Sequence, residues 1–272
     1  MPFLSAGGPH VFAHRGGCAL GPENTIAAFD RGHAAGADGL ELDVQLSADG
    51  VVVVCHDPTL DRTTGATGPL RVRTAAELAL VDAGFRFTDP SGGFPFRERG
   101  VGVPALRDVL DRYRDMLLIV EMKENTVAMG QAVADAVRDA GAHERVCAAG
   151  YGQVALDAVR AAVPGMATGA SLVEARVAVY RSMARWPVRK AGYDAFQVPE
   201  TAGRIRIVSP RFVRHVHKAG HRLQVWTVDE EADMRRLLGW GVDGLISNRP
   251  DLAVRVRDAF VRSVRLQADP NT

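Results

Sequence analysis

The chain has 272 residues, 47% of them hydrophobic, and a formal net charge of +1; it is long enough to bury one large core, and α/β barrels commonly reach this size as a single domain. A near-neutral balance gives no reason to invoke nucleic acid or an anionic membrane, and no stretch approaches the roughly 20 apolar residues of a membrane span, so no stable membrane insertion is expected. Three scattered cysteines, Cys18, Cys55 and Cys147, lack CxxC spacing and argue against a disulfide framework or structural zinc. Arginine outnumbers lysine thirty to three (Lys123, Lys190, Lys218), which makes each lysine worth placing. The start, MPFLSAGGPH, has neither a basic n-region nor a long apolar h-region, so the expected location is the cytoplasm.

In chain order, short β-type runs alternate with helical patterns, the signature of βα units on a parallel sheet. The runs are Val11–His14, Gly39–Val44, Val51–His56, Leu117–Lys123, Val146–Gly150, Ala167–Ser171, Ala195–Val198, Leu223–Val228 and Gly244–Ser247. That is one strand more than an eight-stranded barrel needs. Only QLSADG separates Val44 from Val51, with Asp49-Gly50 as a hairpin signal. A parallel crossover needs a dozen or more residues, so Val51–His56 must return antiparallel and bring His56 back beside Glu41 and Asp43.

Helices are expected at Thr25–Ala35, Leu106–Tyr113, Val127–Ala140, Glu230–Leu238 and, closing the chain, Asp251–Val264. The resulting fold class is an α/β (β/α)8 TIM-type barrel, with an antiparallel hairpin after the second strand; a doubly wound open sheet is the alternative. Residues 57–103 break the alternation and are rich in Gly, Pro, Thr and Arg. They are read as a small insertion or lid at the C-terminal mouth of a single domain spanning 1–272.

Chemistry concentrates at the strand ends. In GLELDVQL, alternation turns Leu40, Leu42 and Val44 towards the helices and Glu41, Asp43 and Gln45 inwards. In LLIVEMKEN, Glu121 and Lys123 share the inward face. Buried carboxylates are costly unless a cation or an ion pair holds them. Three of them from two strands are an oxygen-ligand set for one hard divalent cation, Mg²⁺ or Ca²⁺, and salt bridges that plug the barrel are the competing reading. His14 and His56 end their strands beside these groups, with Arg15 and Lys123 nearby. A cation site, Arg and Lys together favour phosphate, and histidine is the usual proton carrier near neutral pH. The inferred chemistry is metal-assisted attack on a phosphoester with two histidines as base and acid. Cys55 faces away from His56 into the core, and Cys18 has no base. His215, His217 and His221 fall in an amphipathic segment, on an expected solvated helix face, and His33 in a helix, without a catalytic role.

The chain resembles the glycerophosphodiester phosphodiesterases from about Val11 to Leu252. The resemblance rests on AHRG, PENTIAAF, GADGLELDVQLSADGVVVVCHDPTLDRTTGATG, VPALRDVL, EMK, QVWTV and GVDGLISNRPD, in that order. It implies a (β/α)8 barrel with an insertion after the HD motif, and hydrolysis of a small-molecule glycerophosphodiester to glycerol phosphate and an alcohol with a divalent cation. Residue by residue, it implies Glu41, Asp43 and Glu121 as metal ligands, His14 and His56 as the general base and acid, with their division of roles open, and Arg15 and Lys123 as phosphate contacts. Glu23 and Asn24 match further active-site positions, and Trp226 matches a pocket wall, with plain aromatic packing as its alternative. Gln197, inward-pointing at a strand end, is a further substrate contact. The sequence departs from the family at VCAAGYG, where serines and a phenylalanine are common, and at LISN, where Thr-Asp is commoner. These departures bear on the alcohol pocket. The rival functions are a related barrel phospholipase acting on intact lipids and a non-catalytic phosphate-binding barrel. The oligomeric state is open.

Overall fold

The computed structural model describes residue 3 and residues 7–268. Eight parallel strands form the wall: β1 (His10–His14), β2 (Gly39–Leu46), β4 (Leu117–Met122), β5 (Val146–Ala149), β6 (Ala167–Thr168), β7 (Ala195–Pro199), β10 (Arg222–Trp226) and β11 (Gly244–Ser247). Their neighbour order is β6-β5-β4-β2-β1-β11-β10-β7. A parallel bridge between Gly169 and Ala195 joins the two ends, so the sheet is a nearly closed TIM-type barrel. The open-sheet alternative is thereby ruled out. β6 is shorter than expected because Ala170 N–H already donates to Ala195 O on the far side of the seam.

The ninth strand, β3 (Val52–Val54), pairs antiparallel with the end of β2, with Val44 opposite Val54. The Cys55 N–H then donates to Asp43 O at 2.9 Å, so the hairpin delivers His56 to the barrel mouth as the loop length requires. A second small hairpin, β8 (Thr201–Ala202) and β9 (Ile205–Arg206), follows β7.

The helices are α1 (Ile26–Ala34), α2 (Ala75–Ala79), α3 (Leu106–Arg112), α4 (Val127–Asp139), α5 (Gln153–Ala162), α6 (Leu172–Met183), α7 (Pro210–Lys218), α8 (Glu231–Trp240) and α9 (Pro250–Ala268). Side-chain caps mark their starts: Thr25 Oγ1 accepts from Ala28 N, Thr126 from Met129 N, and Ser171 forms a capping box with Glu174. α5 and α6 have no counterpart among the expected helices. α6 carries apolar residues on more than one side, which blurs the 3.6-residue period that identifies a helix in sequence.

Strand alternation divides the core into two layers. Leu40, Leu42, Val44, Val120 and Met122 join the layer between sheet and helices. Phe12, Ile119, Cys147 and Ile246 fill the barrel interior and form the floor beneath the mouth. Residues 57–103 carry a small apolar cluster built on Leu60, Leu70, Leu78 and Val103, which also takes in Val53 and Cys55 of the hairpin. His221 differs from the solvated role expected of it. It is buried and stacks on Tyr193 with ring centroids 4.6 Å apart, because α7 ends before it and the chain turns inward to β10.

The floor is tight where β2 begins. A Cβ on Gly39 would lie 2.6 Å from both Leu117 O and the Phe12 ring. Neither backbone nor floor ring can yield freely, so Gly39→Ala is expected to cost about 1–3 kcal/mol of stability. Urea unfolding of the two proteins measures it; an unchanged midpoint would show that the floor is looser than described.

Candidate active site

The loop between β1 and α1 is bent by residues in left-handed backbone conformations. Arg15 (φ 52) and Asn24 (φ 58) adopt it without being glycine, a strain that persists only where the surroundings over-determine it. Here the surroundings are acidic. Arg15 N–H donates to Glu41 Oε2 at 3.1 Å, and the Asn24 amide donates to Asp43 Oδ2 at 2.8 Å while Asp43 N–H returns to Asn24 Oδ1. Sequence thus converts a crowded loop into a bracket for two strand carboxylates.

Glu41, Asp43 and Glu121 each place a carboxylate oxygen within 4.8 Å of the other two. Asp43 and Glu41 are buried. Lys123 Nζ lies 2.7 Å from both Asp43 Oδ1 and Glu121 Oε1, and Arg15 Nε lies 3.2 Å from Asp43 Oδ2 without hydrogen-bond geometry. Burial alone would raise the Asp43 carboxyl, but Lys123 and Arg15 outweigh it and hold it below the usual range. For Glu41, the hydrogen bond and charge of Arg15 do not outweigh burial. Burial, reinforced by Asp43 and Glu121, pushes its carboxyl well above the ordinary value. One lysine and one arginine do not neutralise three ionised carboxylates, and the least compensated of them, Glu41, is driven towards its neutral form. A divalent cation fits that deficit, so the donor set suits a hard ion. The third inward residue of β2, Gln45, stands outside this set: its amide donates to Cys55 O and Asp57 O and pins the hairpin return.

The two histidines flank the acids. His14 Nδ1 is 2.6 Å from Asn248 Oδ1, and Nε2 is 3.9 Å from Glu41 Oε2. Asn248 is itself oriented, donating from Nδ2 to Asp229 Oδ2 at 2.7 Å and from its backbone N–H to Asp229 Oδ1. With the amide nitrogen committed to Asp229, Oδ1 must accept, so His14 carries its proton on Nδ1 and leaves Nε2 as a free acceptor. Burial pushes the His14 imidazole below its ordinary value despite the opposing hydrogen bond from Asn248. His56 Nδ1 lies 2.6 Å from Asp57 Oδ1, and Arg62 ties Asp57 to Glu23. Asp57, Arg62, Asp229 and Asn248 were not singled out in the sequence. Asp57 left a signal there through its adjacency to His56, and Asn248 through the LISN departure.

The expected residues fall into two groups. His14, Arg15, Glu41, Asp43, His56, Glu121, Lys123, Gln197 and Trp226 line a common cavity of about 110 Å³. Glu23 and Asn24 stand behind it: Glu23 accepts from Arg15 Nη1 at 2.9 Å and from Arg62, and Asn24 braces Asp43. Gln197 donates to Gln224 Oε1 at 2.8 Å, which fixes its amide at the cavity wall. Burial pushes the thiols of Cys18 and Cys55 up, to about 11 and about 12, far from a nucleophile's range.

A parallel barrel whose mouth gathers acids, histidines and two cations at the strand ends belongs to the class of TIM-barrel enzymes. The model of the glycerophosphoryl diester phosphodiesterase family matches residues 14–252. A glycerophosphodiester phosphodiesterase of Caldanaerobacter subterraneus is 33% identical over 251 residues, covering 90% of this chain and 96% of that protein. The crystal structure of a glycerophosphodiester phosphodiesterase from Agrobacterium tumefaciens is 29% identical and superposes with a TM-score of 0.71, covering 90% of this chain and 98% of that one. The glycerophosphoryl diester phosphodiesterase domain of a Mycobacterium tuberculosis protein superposes at 0.81 with 23% identity, over 92% of this chain and 100% of that one, which speaks for the fold. The chain belongs to the glycerophosphoryl diester phosphodiesterase family.

Because Asp229 fixes Asn248 and Asn248 fixes His14, Asn248→Ala should release the imidazole. The expected result is a mixture of His14 tautomers in ¹⁵N spectra and a loss of about 100-fold in kcat, the usual consequence of a misplaced catalytic group. A single retained Nδ1-H tautomer would show that another group sets the ring.

Proposed function

We propose that the chain hydrolyses glycerophosphodiesters to glycerol 3-phosphate and an alcohol, with a divalent cation at Glu41, Asp43 and Glu121 and with His14 and His56 exchanging the protons. The observation that carries this reading is the buried, under-neutralised carboxylate trio lying between two histidines, each of which has one ring nitrogen bound and the other left over.

The residues divide the work by position. Lys123 uses two of its three donors on Asp43 and Glu121, and burial does not discharge it, since those carboxylates hold its ammonium above the ordinary value. Its remaining donor and the Arg15 guanidinium bind the non-bridging phosphate oxygens and meet the charge that grows on them during attack. His14 Nε2, an acceptor by tautomer, takes a proton from the attacking water, whose oxygen bonds to phosphorus as the bond to the alcohol oxygen breaks. His56, with the Asp57 carboxylate on Nδ1, holds a proton at Nε2 for the departing alcohol oxygen. Asn24 and Glu23 keep Asp43 and Arg15 in place rather than touching substrate. When bound, the cation supplies Lewis-acid polarisation of a phosphoryl oxygen. We read residues 57–103 as a flap on the same barrel unit, a reading supported by Arg62, which reaches from this segment to Glu23 of the β1–α1 loop.

Two experiments test this. His14→Ala and His56→Ala should each lower kcat by about 10²–10⁴-fold while calorimetry still finds a bound divalent ion; near-normal turnover in either would remove that histidine from the mechanism. Chelation should abolish release of glycerol 3-phosphate from glycerophosphocholine, and Mg²⁺ or Ca²⁺ should restore it in the parent but not in Glu41→Gln. Full activity of chelated enzyme would refute the ligand assignment.

A further inference from the structure

Beside the small polar cavity lies a second one of about 520 Å³, within the usual range of ligand sites. The two share Glu121, Ala149, Tyr151, Gln197 and Trp226, so the larger opens directly from the proposed phosphate position. Its walls are mostly apolar. Leu172, Ala175, Arg176, Val179 and Tyr180 of α6 line one side, at the i, i+3, i+4, i+7, i+8 positions of a single helix face. They extend the cavity along about 12 Å of helix as a groove. Val198, Ile205 and Ile207 line the wall formed by β7 and the segment after it. Free glycerol or a choline head would leave these surfaces unsatisfied; an apolar arm would bury them.

α6 has a further peculiarity. A helix on a barrel needs one apolar face, and α6 spends it on the core through Ala178 and Val179. Yet Val173, Val177, Tyr180, Met183 and, just beyond the helix, Trp186 are exposed as well. From Leu172 to Lys190 the chain carries Arg176, Arg181, Arg185, Arg189 and Lys190 against Glu174 alone. Exposed aliphatic and aromatic side chains among arginines are the composition of a helix that lies in a lipid interface, attracted to anionic head groups. Here that face borders the groove, with Tyr180 belonging to both.

We propose that the substrate of this site is an amphiphilic phosphodiester whose apolar arm occupies the α6 groove, and that the exposed face of α6 seats the enzyme on the anionic lipid surface that supplies it. This rests on the phosphodiesterase reading above and narrows it. The apolar arm is either an acyl chain on the glycerol or an alkyl or aryl alcohol; both present the same chemistry to the groove. The GGFPF segment of the insertion offers less apolar surface to lipid, since Arg97 covers the Phe94 ring at 3.6 Å.

The test compares kcat/KM for glycerophosphocholine with two series, 1-acyl lysophosphatidylcholines and glycerophospho-n-alkanols of growing length, all below their aggregation limits. The expected rise is about fourfold per methylene over the first several carbons. The series that rises identifies which arm enters the groove. Ala175→Phe should flatten that series. In co-sedimentation with phosphatidylcholine–phosphatidylglycerol vesicles, Val173→Glu/Val177→Glu should lose at least tenfold in binding while turnover of glycerophosphocholine is unchanged. Flat series alongside brisk turnover of glycerophosphocholine would overturn the inference and leave the phosphodiesterase reading intact. No turnover of any diester would count against that reading itself. Equal vesicle binding by parent and double variant would overturn the docking face.

Discussion

The structure depends on three carboxylates enclosed at the mouth of a barrel with too little positive charge around them. Strand alternation commits Glu41, Asp43 and Glu121 to the interior, and the apolar floor beneath them leaves no route to solvent from below. Charge placed there must be matched locally, because the surrounding medium screens it poorly. Nearly every polar feature of the mouth answers that demand. Lys123 bridges two of the acids, Arg15 leans on one, and two left-handed residues of the β1–α1 loop turn the Arg15 backbone N–H to Glu41 and the Asn24 amide to Asp43.

The histidines inherit their order from this arrangement. Each has one ring nitrogen tied to a group outside the acid trio, and each of those groups is held in turn by another charged residue. For His14 the chain of constraint runs through Asn248 to Asp229; for His56 it runs through Asp57 to Arg62 and on to Glu23. Orientation and tautomer are settled before any substrate arrives, so little reorganisation remains for the reaction itself. The departure at LISN falls on this support and not on the acids: a neutral amide, not a second carboxylate, receives the His14 proton. Burial can then keep that imidazole below its ordinary value.

The other departure from the family pattern, VCAAGYG, acquires a physical meaning from its neighbours. Ala149 and Tyr151 line both the polar cavity and the apolar groove, where one passes into the other. The apolar α6 side of the mouth is separate from Glu41, Asp43 and the two histidines. A barrel separates such regions naturally, since different strand ends and loops supply them.

The sequence by itself determined the parallel barrel, the antiparallel return of β3 and the inward rows on β2 and β4. Each follows from short-range rules, namely side-chain alternation and the number of residues a connection has available. It also brought His14, His56 and the three acids to one end, because each ends or adjoins a strand. Only the tertiary structure decided what surrounds them. Asn248 lies 234 positions from His14, and Arg62 lies 39 from Glu23, distances over which no periodicity carries information. The groove escaped the sequence for a related reason: α6 is apolar on several faces, so its pattern announces no single buried side. Which face meets the barrel, which lines a cavity and which stays in solvent is settled by the partners that fold against it, and those come from strands and hairpins elsewhere in the chain.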